Sequence, residues 1–280
     1  MKSKSLVLFT RTPLHVGAGA SIGIVDLPII RESHTGYPVI PGTSLKGVLA
    51  DLWNGELVEG KRPQGSDVRL LFGSDDTKDA NGGKLLVGES KVAAFPVRSA
   101  RGGFAWVTCP LALGRLYRDL GIKLEKFDIE SDSCRVAGGL KLGDYVILEE
   151  YCLKAEADAP QDIIDTLKGL CNDDLWQKEL PSHLAIVSDE MFKYFVENTC
   201  EIAQHVKIDD ETGTAEGGAL FNQENVPAET LFFTVLYENA KPDEKDIFGI
   251  LENKLNSVNY LIQIGAGATT GLGWCSVNLK

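Results

Sequence analysis

The chain has 280 residues, 44% hydrophobic and 24% charged, with a formal net charge of −12. This is the composition of a globular protein long enough to bury a substantial core, as one large domain or two small ones. It excludes a helical membrane span, because no apolar run approaches the roughly 20 residues needed, and its acidity argues against a conventional nucleic-acid binder.

The first residues, MKSKSLVLFTRTPL, are basic and then apolar, but the apolar part is too short for a signal peptide. Ser5–Val16 alternates like a strand. Gly17–Pro41 is a long loop punctuated by glycine and proline, of the length that tends to be functional in compact domains. Thr43 or Ser44 can cap a helix running through Leu45, Val48, Leu49 and Leu52 to about Gly55. Asn54–Gly83 is polar and turn-rich. Strand character returns at Lys84–Val97 and Phe104–Thr108, and Leu111–Leu120 reads as a short helix.

Gly143–Ala155 is strand-like, and Pro160–Trp176 reads as one amphipathic helix with Ile163, Ile164, Leu167 and Leu170 on its apolar side. Leu184–Val187 leads to Ser188, a cap for a helix over Asp189–Asn198. Ala203–Thr234 looks like a long strand pair with an irregular, glycine-bearing excursion at 209–227 between its arms. Lys241–Asn256 suggests a helix, and Tyr260–Ile264 a last strand opening into a glycine-rich tail, 264–274. Strands and helices interleave without a doubly wound rhythm, so the fold class is α+β. No repeat or linker divides the chain, which reads as one domain over 1–280.

Charge is distributed unevenly. Residues 1–118 carry 15 lysines and arginines against 10 acidic residues, leaving 13 basic against 30 acidic in residues 119–280. A basic face can coexist with an acidic one, because screening confines surface potentials to about 8–10 Å. Uneven charge is also ordinary in acidic cytosolic proteins, so alone it decides nothing. Six cysteines (Cys109, Cys134, Cys152, Cys171, Cys200, Cys275) occur without a C-x-x-C pair. That pattern fits free thiols in a reducing cytosol better than disulfides or a zinc site.

The densest stretch is Leu14–Asp51, with glycines at Gly17, Gly19, Gly23, Gly36 and Gly42 around His15, Asp26 and Lys46. GAGASIG lacks the Lys-Ser/Thr ending of a P-loop and the acidic residue that follows a Rossmann turn. Asp26, among apolar neighbours, is either a structural carboxylate accepting backbone N–H bonds or a catalytic one. His15 is a packing residue or one that positions a ligand and moves a proton. Lys46, in the first turn of a helix beside Ser44 and Gly47, is a solvated lysine or part of an anion site. Arg31, Arg98 and Arg101 are further phosphate candidates, with Ser99 adding a hydroxyl. Trp106, Trp274 and Phe221 are aromatic surfaces for packing or for base stacking. Bare of context, the tail glycines Gly265, Gly267, Gly271 and Gly273 read as a tight structural loop.

The order H-x-G-x-G, D-x-P-I-I-R, Y-P-x-I-P-G-T-S-L-K-G in this stretch resembles the RAMP superfamily of CRISPR proteins, and within it the backbone subunit of the type III-B (Cmr) effector complex. The resemblance recurs at Ala94–Thr108, Ala215–Phe232 and Ile264–Trp274, nearly end to end. It implies a ferredoxin-like, RRM-related core carrying insertions, one of them a β-hairpin thumb at 209–227. It makes Asp26 the residue for cleavage of target RNA, with a divalent metal ion (Mg²⁺ or Mn²⁺) that one carboxylate would share with RNA oxygens and water. Glu224 stands at an acidic position before a proline, a third catalytic candidate beside His15. The tail glycines become an RNA-facing loop. The implied partners are guide RNA, single-stranded target RNA, the other Cmr subunits and further copies of the chain in a head-to-tail filament, in the cytoplasm. A non-catalytic scaffold and a stand-alone guide-processing endoribonuclease relying on histidine are the alternatives.

Overall fold

The computed structural model describes residues 2–19, 23–74, 81–209, 211–240 and 245–280. Strand β1 (Ser3–Thr10) lies at the centre of the first half of a large sheet, paired antiparallel with β12 (Leu231–Glu238) and with β14 (Trp274–Leu279). Its side chains split by parity. Leu6 and Leu8 enter one apolar cluster, and Val7 and Phe9 the other, so both faces are covered. A strand buried on both sides reads as a continuous apolar run rather than a strict alternation.

β12 pairs on its other side with β4 (Ser90–Ser99), giving the antiparallel order β14-β1-β12-β4. Helix α1 (Gly42–Asp51) lies in sequence between β1 and β4, and α7 (Ile247–Ser257) between β12 and β14. Leu45 and Leu49 of α1, and Ile247, Leu251 and Leu255 of α7, join the cluster with Leu6 and Leu8. From β4 the sheet continues through β5 (Gly103–Thr108), β9 (Leu184–Val187), β6 (Ser133–Val136), β8 (Tyr151–Asp158) and β7 (Tyr145–Leu148). A β7–β4 pairing at Leu148 and Ser99 returns the path to β4, so this half closes on itself like a barrel.

Several elements depart from the sequence reading. The single strand expected at Gly143–Ala155 is the β7–β8 hairpin, turning at Glu149 with φ 52. The helix expected at Pro160–Trp176 is two, α4 (Gln161–Leu170) and α5 (Asp174–His183); Asp173 breaks the run by capping α5, its Oδ1 accepting from Leu175 and Trp176. Thr43 and Ser44 do not cap α1, because Pro41 holds the cap position and no side chain accepts there. The polar stretch after Asn54 contains a short helix, α2 (Asp67–Phe72), capped by Ser66. The helix near 241–256 starts at Ile247, and residues 241–244 lie outside the described residues. All six cysteines are free thiols.

The excursion expected to be irregular is mostly paired strand. β10 (Glu201–Ile208) and β11 (Ala215–Asn225) form a two-stranded sheet of their own, Ile202 opposite Glu224 and Val206 opposite Leu220. Ile202, Val206, Ile208, Leu220 and Phe221 of this pair are exposed. No helix is long and apolar enough to cross a membrane among the described residues.

Candidate functional site

The free edge of β11 is taken by the opening loop. Leu14 and Val226 exchange backbone hydrogen bonds of 2.8 and 2.9 Å, Leu27 N–H donates to Asn222 O at 3.1 Å, and Glu224 N–H donates to Leu27 O at 3.0 Å. The loop folds back on itself as well, Ile30 N–H reaching Val16 O at 2.8 Å. These ladders bring His15, Asp26 and Glu224, which are remote in sequence, to one place at the base of the β10–β11 hairpin.

The three residues hold very different positions there. Asp26 is exposed. Its Oδ2 accepts the Asn222 N–H at 2.9 Å and its own N–H donates to Asn222 Oδ1 at 2.7 Å. Its Oδ1 has no protein partner among the described residues. His15 is buried, its Nδ1 lying 2.7 Å from the Glu224 carbonyl. A carbonyl only accepts, so Nδ1 carries the hydrogen and Nε2 the lone pair. That Nε2 faces Gly17, where a Cβ would approach it to 2.8 Å.

Glu224 is buried with both oxygens committed. Oε1 pairs with Arg31 at 2.5 Å and Oε2 accepts the Ile29 N–H at 3.0 Å. Arg31 completes the arrangement by donating to Gly36 O at 2.9 Å, Val196 O at 2.8 Å and Cys200 Sγ at 3.4 Å. Glu224 and Arg31, read as a catalytic and a phosphate candidate, are here committed to one another. A buried charge is tolerated when it is paired and hydrogen-bonded, and these two satisfy one another. Together they fasten the opening loop to the hairpin. Burial lifts the Cys200 thiol to about 12 against the pull of Arg31, so it stays a neutral acceptor.

A second group sits on α1. Ser44 and Lys46 are partly exposed and Gly47 is exposed. Lys46 has no ion-pair partner among the described residues. The first turn of α1 holds no acidic residue and no side-chain cap. Free amides, an unopposed dipole and a lysine make that end attractive to an anion. Gly42 is required by packing, because a Cβ there would meet Val87 O at 2.6 Å; Gly47 has nothing within 4 Å of the same position.

The remaining basic candidates are partly engaged. Arg98 is exposed but binds Glu149 through its backbone N–H at 2.7 Å and its Nε at 2.6 Å. That hydrogen bond holds its guanidinium pKa above the usual arginine value. Ser99 is buried, its hydroxyl without a partner among the described residues, and Arg101 is exposed and donates to Lys141 O. Trp106 is fully buried and gives its indole N–H to Glu229 O at 2.7 Å, so it packs and cannot stack on a base. Trp274 and Phe221 are exposed.

The glycine tail packs under His15. Ala266 N–H donates to His15 O at 2.9 Å, and Gly273 N–H to Pro13 O at 2.8 Å. Gly265 (φ +80) and Gly273 (φ +76) are left-handed, and a Cβ would strike the His15 and Ile264 carbonyls respectively. Gly267 turns the chain beside Leu272, whereas Gly271 faces open space.

The chain belongs to the RAMP superfamily, whose profile matches residues 8–276. It is 34% identical over 290 aligned positions to the CRISPR system Cmr endoribonuclease Cmr4 of Pyrococcus furiosus, across 100% of this chain and 96% of that protein. The crystal structure of oligomeric Cmr4 from Pyrococcus furiosus superposes with a TM-score of 0.75 at 30% identity, covering 100% of this chain and 98% of that one. A chain of the cryo-EM structure of the type III-B Cmr-beta complex bound to cognate target RNA shares the fold, with a TM-score of 0.76 at 20% identity and coverage of 100% and 97%.

Sequence reasoning missed Asn222 as the partner of Asp26 and the pairing of Arg31 with Glu224. The one available signal was opposite charge at the two positions, and nothing local says that such residues meet across 193 positions.

Proposed function

We propose that this chain is the backbone subunit of a type III-B RNA-guided effector, which binds guide RNA and cleaves complementary target RNA through Asp26. The observation that carries the reading is full-length similarity to a Cmr endoribonuclease combined with a solvent-facing carboxylate fixed on the loop that bears the family's motif. Copies repeat head-to-tail along the guide with the other Cmr subunits, in the cytoplasm. Such contacts are heterologous and open-ended.

The strand order β14-β1-β12-β4, with α1 and α7 as crossovers, supports reading residues 1–280 as one domain built on a ferredoxin-like core. The β10–β11 hairpin, with its exposed apolar residues, supports the thumb reading of 209–227. Lys46, Ser44 and Gly47 hold the guide backbone, with Arg98, Arg101 and the 264–274 loop as further contacts, while the hydroxyl of Ser99 is buried away from that surface. Base pairing reads the sequence and the protein reads the backbone.

For the chemistry, the free Oδ1 of Asp26 accepts the proton of the target's 2′-hydroxyl as that oxygen attacks the adjacent phosphorus, and the bond to the 5′-oxygen breaks to leave a 2′,3′-cyclic phosphate and a 5′-hydroxyl that takes its proton from water. The described residues hold no cluster of three or more His, Cys, Asp or Glu that could bind a metal. The donor set fits a divalent ion held by Asp26 and mainly by RNA oxygens and water, as Mg²⁺ accepts. Such an ion supplies charge neutralisation at the phosphate. His15, buried and bonded, counts against a stand-alone histidine-dependent nuclease.

The test is a reconstituted complex carrying Asp26→Ala, supplied with matched target and Mg²⁺. Cutting should fall by about 10²–10⁴-fold, the range for a general base, while target affinity is retained. Undiminished cutting would show that Asp26 is structural and favour the scaffold reading.

A further inference from the structure

We propose that Asn222 is the positioning residue for the Asp26 carboxylate; this rests on Asp26 being the cutting residue. Asn222 lies on β11 and addresses the opening loop with every polar group it has. Its N–H donates to Asp26 Oδ2 at 2.9 Å and its Oδ1 accepts the Asp26 N–H at 2.7 Å. Its carbonyl accepts from Leu27 N–H at 3.1 Å and its Nδ2 donates to Ile24 O at 3.4 Å. Among the described residues of the loop tip, Ile24 is 95% exposed, Asp26 is exposed as well and Val25 is half-buried.

Fixing Oδ2 against a backbone amide while the Asp26 amide is held by the Asn222 side chain leaves few orientations open to the carboxylate. Oδ1 is thereby presented outward before RNA arrives. Such preorganisation is worth a great deal, because a misplacement of about 1 Å can cost a hundredfold in rate. The same bonds attach the cutting loop to the hairpin and not to the body of the sheet. A shift of the hairpin on target binding would therefore carry Asp26 with it. The cross-strand partner Gln204 supplies a control, because it sits opposite Asn222 on β10 and bonds nothing in the loop among the described residues.

The experiment compares complexes assembled with Asn222→Ala, Gln204→Ala and Asp26→Ala, measuring target affinity and the single-turnover cutting rate at saturating target with Mg²⁺. Asn222→Ala should cut about 10–100-fold more slowly, with target affinity within about twofold of the parent and Gln204→Ala unaffected. A parental rate for Asn222→Ala, an equal loss in Gln204→Ala, or a loss of target binding that accounts for the slower cutting each overturns the inference. Should Asp26→Ala cut normally, the catalytic reading of Asp26 fails and this one with it. If only Asp26→Ala is dead, cutting through Asp26 stands and the positioning role of Asn222 falls.

Discussion

Lys46 and Asp26 belong to the same stretch of chain yet are supported in opposite ways. Lys46 rides on α1, whose Leu45 and Leu49 are fully buried in the apolar cluster that also holds Leu6 and Leu8 of β1, so its position follows from a local helix docked on the core. Asp26 sits on a loop that owes its place to β11, nearly 200 residues later, through Asn222, Glu224 and Val226. The anion-attracting end is thus set by a helix docked on the core, and the Asp26 loop by the base of the hairpin together with its own core residues Val16 and Ile29. Under the proposed function, one surface grips the guide continuously while the other acts only where a target is seated.

The largest expected effect comes from breaking the fastening between the two. Arg31→Ala leaves Glu224 buried without its counter-charge, which should cost about 3 kcal/mol in chemical denaturation. Arg31→Lys should recover only part, because a single ammonium cannot reproduce a fork that reaches Gly36, Val196, Cys200 and Glu224. A loss under about 1 kcal/mol for the alanine variant would mean that the loop is held by its backbone ladder alone.

Lys46→Ala probes the other region. Guide RNA affinity should drop about tenfold at low salt, as for one charged hydrogen bond. The slope of log affinity against log salt should shrink by about 0.7, the share of one phosphate on a single strand. Melting temperature should not move. If stability falls while the salt slope stays, Lys46 is a packing residue and the contrast with Asp26 disappears.

How much of this was legible in the sequence follows the same division. α1, α3 (Pro110–Leu120) and α6 (Asp189–Asn198) were readable because apolar periodicity is local, and of the caps read only that of α6 was observed, Ser188 accepting from Met191 N–H. The break at Asp173 and the turn at Glu149 were not, because a capping aspartate and a left-handed glutamate leave little trace in an apolar pattern. β6 and β14 were passed over because short strands paired on both sides are specified by their neighbours. At the site, the motif pointed to Asp26 and Lys46, but Arg31 and Glu224 carry the same charges as functional residues. Their pairing at the buried Glu224 is set by the tertiary structure and leaves no local trace.

A smaller effect is expected where the hairpin rejoins the body. Glu229, at φ 67 before β12, has its carboxyl pushed up to about 7 by burial and by Asp173, against the opposing pull of Arg11. An unfolded glutamate titrates near about 4.3. Between these values the native state holds a proton that the unfolded state lacks, so stability falls as pH rises through the window and the cost is complete above about 7. Glu229→Gln should therefore be more stable than the parent at pH 8 by about 1 kcal/mol, after allowing for solvent screening of a partly exposed group, and equal to it near pH 4. Urea titrations at both values check this. An equal gain at both would trace the effect to something other than ionisation.

Gly47→Ala should give the smallest change and the most discriminating one. Glycine inside a helix costs roughly 0.5–1 kcal/mol relative to alanine, and here nothing lies within 4 Å of an added Cβ, so packing does not explain it. Substitution should raise stability by about that amount. On a bare surface the gain would carry no penalty. On a surface that an RNA backbone approaches closely, the methyl group occupies the space the phosphate needs, and guide affinity should fall although the fold is firmer. Stability and binding then move in opposite directions, which neither a packing residue nor an idle surface position produces. A stabilised variant with parental guide affinity would remove Gly47 from the interface and leave the anion site to Lys46 and the free amides of the first turn.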